Sequence, residues 1–359
     1  MNIAIIGGGN VGTLMAAEFA YKGHNVRIYT SKPERWSKAI DVYSAEEELL
    51  FSSRIGKVTD SLREALEGVE YIWITLPAFL FDKIANDMFP YVEKGQFIGI
   101  IPGSGGAEFG FRRLLQKGCI LFGLQRVHSI ARVKEYGKSV YMLGRKQKLY
   151  LAAIPSKENI SISAVVEELF DIQCEALDNY LSVTLTPSNP ILHTTRLYTL
   201  FKEYEQGKQY DYIPLFYEEW DDASSELLLK CDEEVQQLCK NMKEFDLSYV
   251  KSLKVHYEST TVQALTKKLR SIDSLKGLPT PTVGKEHQLI PDFSSRYFTA
   301  DFPYGLEILH QIACFVDIFV PHMTKVLQWY YQLTQNPQKF QYSQYGIYDY
   351  QSFKNFYLR

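Results

Sequence analysis

Residues 3–30 read IAIIGGGNVGTLMAAEFAYKGHNVRIYT, and the fold is decided here. An apolar run, Ile3 to Ile6, meets Gly7, Gly9 and Gly12 in G-x-G-x-x-G spacing, and a helix-patterned segment from Val11 to Tyr21 follows. The three glycines have separable jobs: a tight turn, close approach of the backbone to a pyrophosphate, and helix-to-strand contact. Gly23 suits a helix C′ position, and a second strand-like run, Asn25 to Thr30, comes after it. A lone glycine motif is weak. Set between two strands and at the start of an apolar-faced helix, it predicts a dinucleotide-binding Rossmann unit, with a ligand-free glycine turn as the alternative. Phosphate oxygens are expected at the helix start, around Gly7, Gly9, Asn10, Val11 and Gly12, where unpaired N–H groups and the helix dipole favour an anion.

The tip of the second strand chooses between cofactors. NAD-binding units place an Asp or Glu there against the ribose hydroxyls, whereas this chain has Thr30-Ser31-Lys32-Pro33-Glu34-Arg35. No carboxylate stands at the tip, and Ser31, Lys32 and Arg35 can bond and neutralise a 2′-phosphate. NADP(H) is therefore expected, with NAD(H) second. The alternative is that Lys32 and Arg35 are solvated charges at a helix start, where the dipole disfavours them. Thr75-Leu76-Pro77, ending the strand that carries Trp73, lines the adenosine-side channel or packs structurally.

Outward from this unit, 359 residues are long for one core and predict two domains. With 46% apolar and 23% charged residues the chain is globular in composition. The balance of 39 basic and 42 acidic side chains, net −3, excludes a strong electrostatic footprint for nucleic acid or anionic membrane and points to small-molecule partners. Cys119, Cys174, Cys231, Cys239 and Cys314 are odd in number and form no CxxC or Cys/His cluster, so reduced thiols and no metal site are expected. The N-terminus runs straight into a strand without a signal-peptide pattern. The most apolar late run, Ile312 to Val320, is too short to span a bilayer and carries Asp317. A cytoplasmic protein is the expectation.

The first half alternates short apolar runs with helical segments, predicting strands at Ile3 to Ile6, Asn25 to Thr30, Tyr71 to Leu76, Phe97 to Ile101 and Ile120 to Leu124. Ser139 to Leu143 and Lys148 to Ile154 flank Gly144-Arg145-Lys146-Gln147 and are expected to form an antiparallel hairpin closing the sheet's far edge. From about Tyr180 the pattern turns helical, around Pro190 to Tyr204, Ser224 to Phe245, Thr261 to Ile272 and Tyr304 to Leu333. The fold class is thus α/β, a doubly wound Rossmann sheet over residues 1–178 followed by a mainly α-helical domain over 179–359. Leu278 to Phe293, with three prolines, is expected to be an ordered loop. The tail from Gln341 is tyrosine-rich, which fits packing or a subunit contact such as a homodimer's.

Chemistry is expected where the second domain begins, because a Rossmann half followed by a helical domain directs the nicotinamide to the cleft between them. In Thr186-Pro187-Ser188-Asn189-Pro190-Ile191-Leu192-His193 two prolines stiffen a helix entry and put His193 in its first turn, where an imidazole can exchange a proton with a substrate. A lone histidine satisfied by packing is the competing reading. The motif Asn189-Pro190-x-x-His193, together with Ser295-Arg296-Tyr297-Phe298-Thr299-Ala300-Asp301-Phe302-Pro303-Tyr304-Gly305-Leu306, resembles the opine dehydrogenases of the octopine and nopaline type. Ala300 stands where that family often has an acidic residue, which bears on substrate preference. The resemblance implies a catalytic pair, His193 and Asp301, with the carboxylate fixing the imidazole tautomer. It also implies that Arg296 grips a substrate carboxylate with two hydrogen bonds, and that Asn189 belongs to the substrate site. For Asp301 a helix cap, and for Arg296 an ordinary salt bridge, are the alternatives.

Two Rossmann loops complete the candidates. Pro102-Gly103-Ser104-Gly105-Gly106 offers small residues for backbone approach. In Gln125-Arg126-Val127-His128-Ser129-Ile130-Ala131-Arg132, Arg126 and Arg132 are candidates for a second carboxylate and His128 is a competing acid/base, against the alternative of solvated loop charges. The resemblance implies NADPH-dependent reductive condensation of an α-keto acid with an amino acid or amine through an imine. A second reading resembles the ketopantoate reductases, which usually rely on a helical-domain lysine, but no lysine stands near Asn189 to His193. A non-catalytic NADP(H)-binding sensor is the third.

Overall fold

Apolar runs buried on both faces build the first part of the molecule. The computed structural model describes residues 1–285, 287–335 and 338–358 and divides into two compact units, Met1–Thr184 and the chain from Leu185 onward. In the first unit the order is β1 (Asn2–Ile6), α1 (Asn10–Tyr21), β2 (Asn25–Tyr29), β3 (Ala39–Tyr43), β4 (Leu49–Arg54), β5 (Lys57–Thr59), α2 (Leu62–Leu66), β6 (Tyr71–Ile74), α3 (Phe81–Met88) and β7 (Phe97–Ile100). It continues with α4 (Ala107–Gly110), α5 (Arg112–Gln116), β8 (Ile120–Leu124), β9 (Ser129–Glu135), β10 (Ser139–Arg145), β11 (Lys148–Ile154), α6 (Asn159–Phe170), β12 (Gln173–Ala176) and α7 (Leu181–Thr184). Eight strands form one sheet in the order β12-β11-β8-β7-β6-β1-β2-β5. β1 lies parallel between β2 and β6, with Ile5 facing Ile28 and Trp73, all three fully buried. Such strands read as unbroken apolar runs because helices or a second sheet cover both faces.

The expected hairpin does not form. β10 pairs antiparallel with β9 and parallel with β3, while β11 pairs antiparallel with β8 and parallel with β12. The reason lies in the burial each strand offers. Leu149, Leu151, Ala152 and Ala153 of β11 are all buried and suit an interior position, so β12, not β11, is the edge. β10, half exposed, belongs to a four-stranded sheet, β4-β3-β10-β9, which the periodicity did not announce. This sheet covers α1, and the helix is buried almost continuously from Gly12 to Phe19, as its nearly all-apolar sequence requires. α1 ends in a Schellman arrangement, with Gly23 N–H on Ala20 O at 3.0 Å and His24 N–H on Phe19 O at 3.1 Å.

The second unit is mainly helical: α8 (Asn189–Phe201), α9 (Asp222–Asn241), α10 (Leu253–His256), α11 (Val262–Arg270), a short hairpin β13 (Thr282–Val283) and β14 (Ile290–Pro291), α12 (Arg296–Thr299), α13 (Glu307–Val316), α14 (Pro321–Thr334) and α15 (Tyr350–Tyr357). The helix expected over Tyr304 to Leu333 is three pieces. A π-helical turn, Phe302–Leu306, precedes α13, Asp317 ends α13 in the left-handed region at φ 56°, and Pro321 opens α14 at a position where its missing N–H costs nothing. The expected loop at Leu278 to Phe293 contains the β13–β14 hairpin, with Glu286 outside the described residues. In the tail, Tyr342 and Phe353 are buried against Phe315; Arg359 lies outside the described residues. No described helix is long and apolar enough to cross a membrane.

Candidate functional site

The glycine loop of the first unit has the stereochemistry a dinucleotide needs. Gly7 sits at φ +118°, and a Cβ on Gly12 would stand 2.0 Å from the Gly7 carbonyl oxygen and 2.6 Å from Thr75 Oγ1. Those two positions exclude any side chain, so α1 can press against the strand ends. A Cβ on Gly9 would meet nothing within 4 Å, which leaves that backbone open to approach. Gly9 caps α1 without a side-chain hydrogen bond, and the first turn holds no acidic residue. The helix therefore presents uncompensated N–H groups suited to phosphate. Val11 lies half-buried in that first turn. Asn10 is used structurally, its Oδ1 accepting the Val133 N–H at 2.8 Å. Leu76 packs beneath Gly7, and Pro77 precedes a 3-10 turn, Ala78–Leu80.

At the β2 tip, Thr30 is buried and its hydroxyl is 2.9 Å from Tyr136 Oη. Ser31, Lys32 and Arg35 are exposed. The Arg35 guanidinium lies over the Tyr136 ring at 5.0 Å, and the Trp36 ring abuts Gly8. Neither Tyr136 nor Trp36 was legible in sequence, since both contacts depend on the second sheet and its turn. Gly103 lies against Gly123, so the small-residue loop serves strand-to-loop packing. Arg126 is half-buried after β8; Lys146, lowered first by burial, is lowered further by the Arg126 charge. Arg132 lies within β9, and its guanidinium donates to Ala131 O at 2.9 Å.

His128 is not placed as an acid/base. It is fully buried, with Nε2 2.7 Å from Glu18 Oε2 and its ring 4.4 Å from that of Phe170. Glu18 also receives Arg145. Burial pushes the Glu18 carboxyl up, but His128 and Arg145 outweigh it and hold it below the usual range. This ionic cluster ties α1 to its covering strands.

In the second unit the two sequence motifs, 108 residues apart, converge. Pro190 in the first turn of α8 presets its entry, and His193 points Nδ1 at Asp301 Oδ2, 2.8 Å away. Asp301 immediately precedes the π-helical turn. Gly305 in that turn lies against Pro190: a Cβ there would be 2.9 Å from Pro190 Cβ. Both motifs thus need their Pro and Gly for the two elements to touch. His193 is 8% exposed and lies among Phe216, Tyr217 and Tyr297, with the Tyr297 ring at 4.4 Å. Its Nε2 is 2.7 Å from Tyr217 Oη. A carboxylate on one nitrogen holds the Nδ1–H tautomer and stabilises the imidazolium, which equips the other nitrogen for proton exchange. Arg296 is exposed, one residue before Tyr297, and Asn189 is exposed at the start of α8. Tyr217 and Tyr297 were missed. Tyr297 lay inside the quoted motif, whereas nothing in the spacing links Tyr217 to His193.

Comparison with known proteins bears on both units. Residues 176–334 match the model of the NAD/NADP octopine/nopaline dehydrogenase α-helical domain, and residues 2–116 match that of the NAD-dependent glycerol-3-phosphate dehydrogenase N-terminus. Tauropine dehydrogenase of Arabella iricolor is 25% identical over 359 aligned residues, covering 91% of this chain and 90% of the relative. The solved structure of octopine dehydrogenase with NADH and L-arginine superposes with a TM-score of 0.79 at 23% identity, covering 93% of this chain and 90% of the other. A 2-dehydropantoate 2-reductase from Geobacter metallireducens is more distant, with a TM-score of 0.64 at 14% identity over 92% of this chain and 99% of the other.

Proposed function

We propose that this chain belongs with the opine dehydrogenases and is an NAD(P)-dependent oxidoreductase that reductively condenses an α-keto acid with an amino acid or amine. The observation that carries the reading is the His193–Asp301 pair, assembled at 2.8 Å from the two motifs. Nicotinamide, when bound, supplies the hydride that reduces the imine carbon. The chain's own residues handle binding and protons. His193, held by Asp301, serves as the base when the amine loses its proton and as the acid when the carbinolamine hydroxyl leaves as water. Arg296, exposed and in no ion pair among the described residues, anchors a substrate carboxylate by a two-pronged contact. Asn189 is assigned to the same substrate site, and Arg126 and Arg132 are secondary candidates for a carboxylate. We assign the reaction to the cytoplasm, a compartment in which the five cysteines would stay reduced.

The cofactor assigned is NADP(H). What supports it is the β2 tip, where Ser31, Lys32 and Arg35 are exposed and Arg35 is held over Tyr136. Charge-assisted hydrogen bonds contribute roughly 1.5–3 kcal/mol each. Arg35→Ala should therefore weaken NADPH at least about tenfold in a fluorescence titration and leave NADH binding unchanged. Equal weakening of both cofactors would move the assignment to NAD(H).

For the reaction itself, His193→Ala should lower turnover a hundredfold or more, the order expected of a general acid/base, while NADPH still binds. Unchanged turnover would remove the dyad.

A further inference from the structure

Both nitrogens of His193 are engaged, Nδ1 by Asp301 at 2.8 Å and Nε2 by the Tyr217 hydroxyl at 2.7 Å. Yet Nε2 is the nitrogen that would exchange a proton with substrate. We propose that Tyr217 is the outer member of an Asp301–His193–Tyr217 relay, and that its hydroxyl, rather than the imidazole, meets the reacting nitrogen and oxygen. The proposal rests on the opine reading above.

A phenol suits this place because its oxygen accepts a proton from one side while donating from the other. The molecule also invests heavily in holding Tyr217. Arg196 lies one turn along α8 from His193 and is fully buried. Its guanidinium donates to Leu215 O at 3.4 Å, Phe216 O at 3.2 Å and Glu219 O at 2.7 Å, and to Asp221 Oδ2 at 2.9 Å. It also lies 5.3 Å from the Trp220 ring. These bonds fasten the irregular segment on both sides of Tyr217. The Tyr217 ring is in turn stacked on Trp220, with centroids 6.1 Å apart and planes at 16°. A buried arginine is costly unless its donors are met, and an apolar side chain would fill the same volume. Arg196 is accordingly a positioning residue, and α8 fixes both ends of the Nε2–phenol bond.

In the condensation, the substrate ammonium passes a proton to the Tyr217 oxygen as the phenol proton moves to Nε2, leaving the amine free to attack the keto carbon. The carbinolamine forms as a proton shifts from nitrogen to oxygen. The phenol then protonates the carbinolamine hydroxyl and is reprotonated from Nε2–H. The C–O bond breaks, its electron pair leaves with water, and the nitrogen lone pair closes the C=N bond. Hydride addition to that iminium gives the secondary amine and oxidised cofactor, so charge and atoms balance.

The test is Tyr217→Phe, which keeps the ring and removes only the hydroxyl. With NADPH and a productive keto acid and amine, kcat should fall at least about tenfold, both KM values should hold within threefold, and the pH profile of kcat should change shape. Nitrogen NMR of the full chain should show the His193 Nε2 resonance displaced relative to wild type. Arg196→Lys, which keeps the charge and the phenol, should lower kcat without restoring a wild-type Nε2 signal. An unchanged or raised kcat in Tyr217→Phe overturns the relay, and so does an unmoved Nε2 resonance. If His193→Ala is inactive while Tyr217→Phe is fully active, the relay falls and the opine reading stands. A wild-type chain inert to every keto acid and amine pair overturns both.

Discussion

In the proposed reaction His193 and Asp301 do different work, and each can be removed separately. Asp301→Asn preserves a hydrogen-bonding group at Nδ1 but no longer stabilises the imidazolium. Its turnover should fall a hundredfold or more, with a smaller change in KM, in steady-state assays. A fall confined to KM would reduce Asp301 to a scaffold residue. Gly12 offers a parallel test in the first unit, since a Cβ would stand 2.0 Å from the Gly7 carbonyl oxygen. Gly12→Ala should abolish dinucleotide binding in a titration, and retained affinity would show that the loop is not the phosphate cradle. These residues were legible in sequence because each belongs to a short motif whose spacing mirrors a local geometry. Tyr217 and Arg196 were not, because the constraint linking them is a tertiary one: a buried guanidinium bonded to carbonyls about 20 residues away, a pattern that leaves no period in the chain.

Among the elements, α9 carries a pH-dependent burden. Burial pushes the Asp232 carboxyl up to about 6, against the Leu253 N–H bond at 2.8 Å that pulls it down. The folded state therefore binds this proton more tightly than the unfolded chain, whose value is near 3.8. The stability it contributes is complete below about pH 4 and is lost as pH rises through 6, on the order of 3 kcal/mol for the whole shift. Asp232→Asn keeps an oxygen for Leu253 and carries no charge. It should raise the Tm relative to wild type at pH 7.5 and lose that advantage by pH 4, in thermal melts. A loss of stability equal at both pH values would contradict the sign. The elements missed in sequence have physical causes of the same local kind. β9 is a half-exposed strand carrying Arg132, Lys134 and Glu135, β11 is an apolar run that could have paired with either neighbour, and Asp317 and Pro321 broke a periodicity that continued on both sides.

At the scale of the molecule, the chain joins a dinucleotide-binding unit to a helical unit of the octopine/nopaline type. The order and class of both units were plain from the shift between short apolar runs and long helical ones, while the inserted sheet over α1 was not. What the two units accomplish together is one chemical claim, that a C–N bond is made and reduced. The most direct measurement is oxidation of NADPH by the full chain over keto acids crossed with amino acids and amines, with each product weighed by mass spectrometry. The expected product has the mass of the two reactants minus water plus two hydrogens, and its formation requires both partners. A product equal to the keto acid plus two hydrogens, formed at the same rate without any amine, would contradict it and make the chain a keto acid reductase.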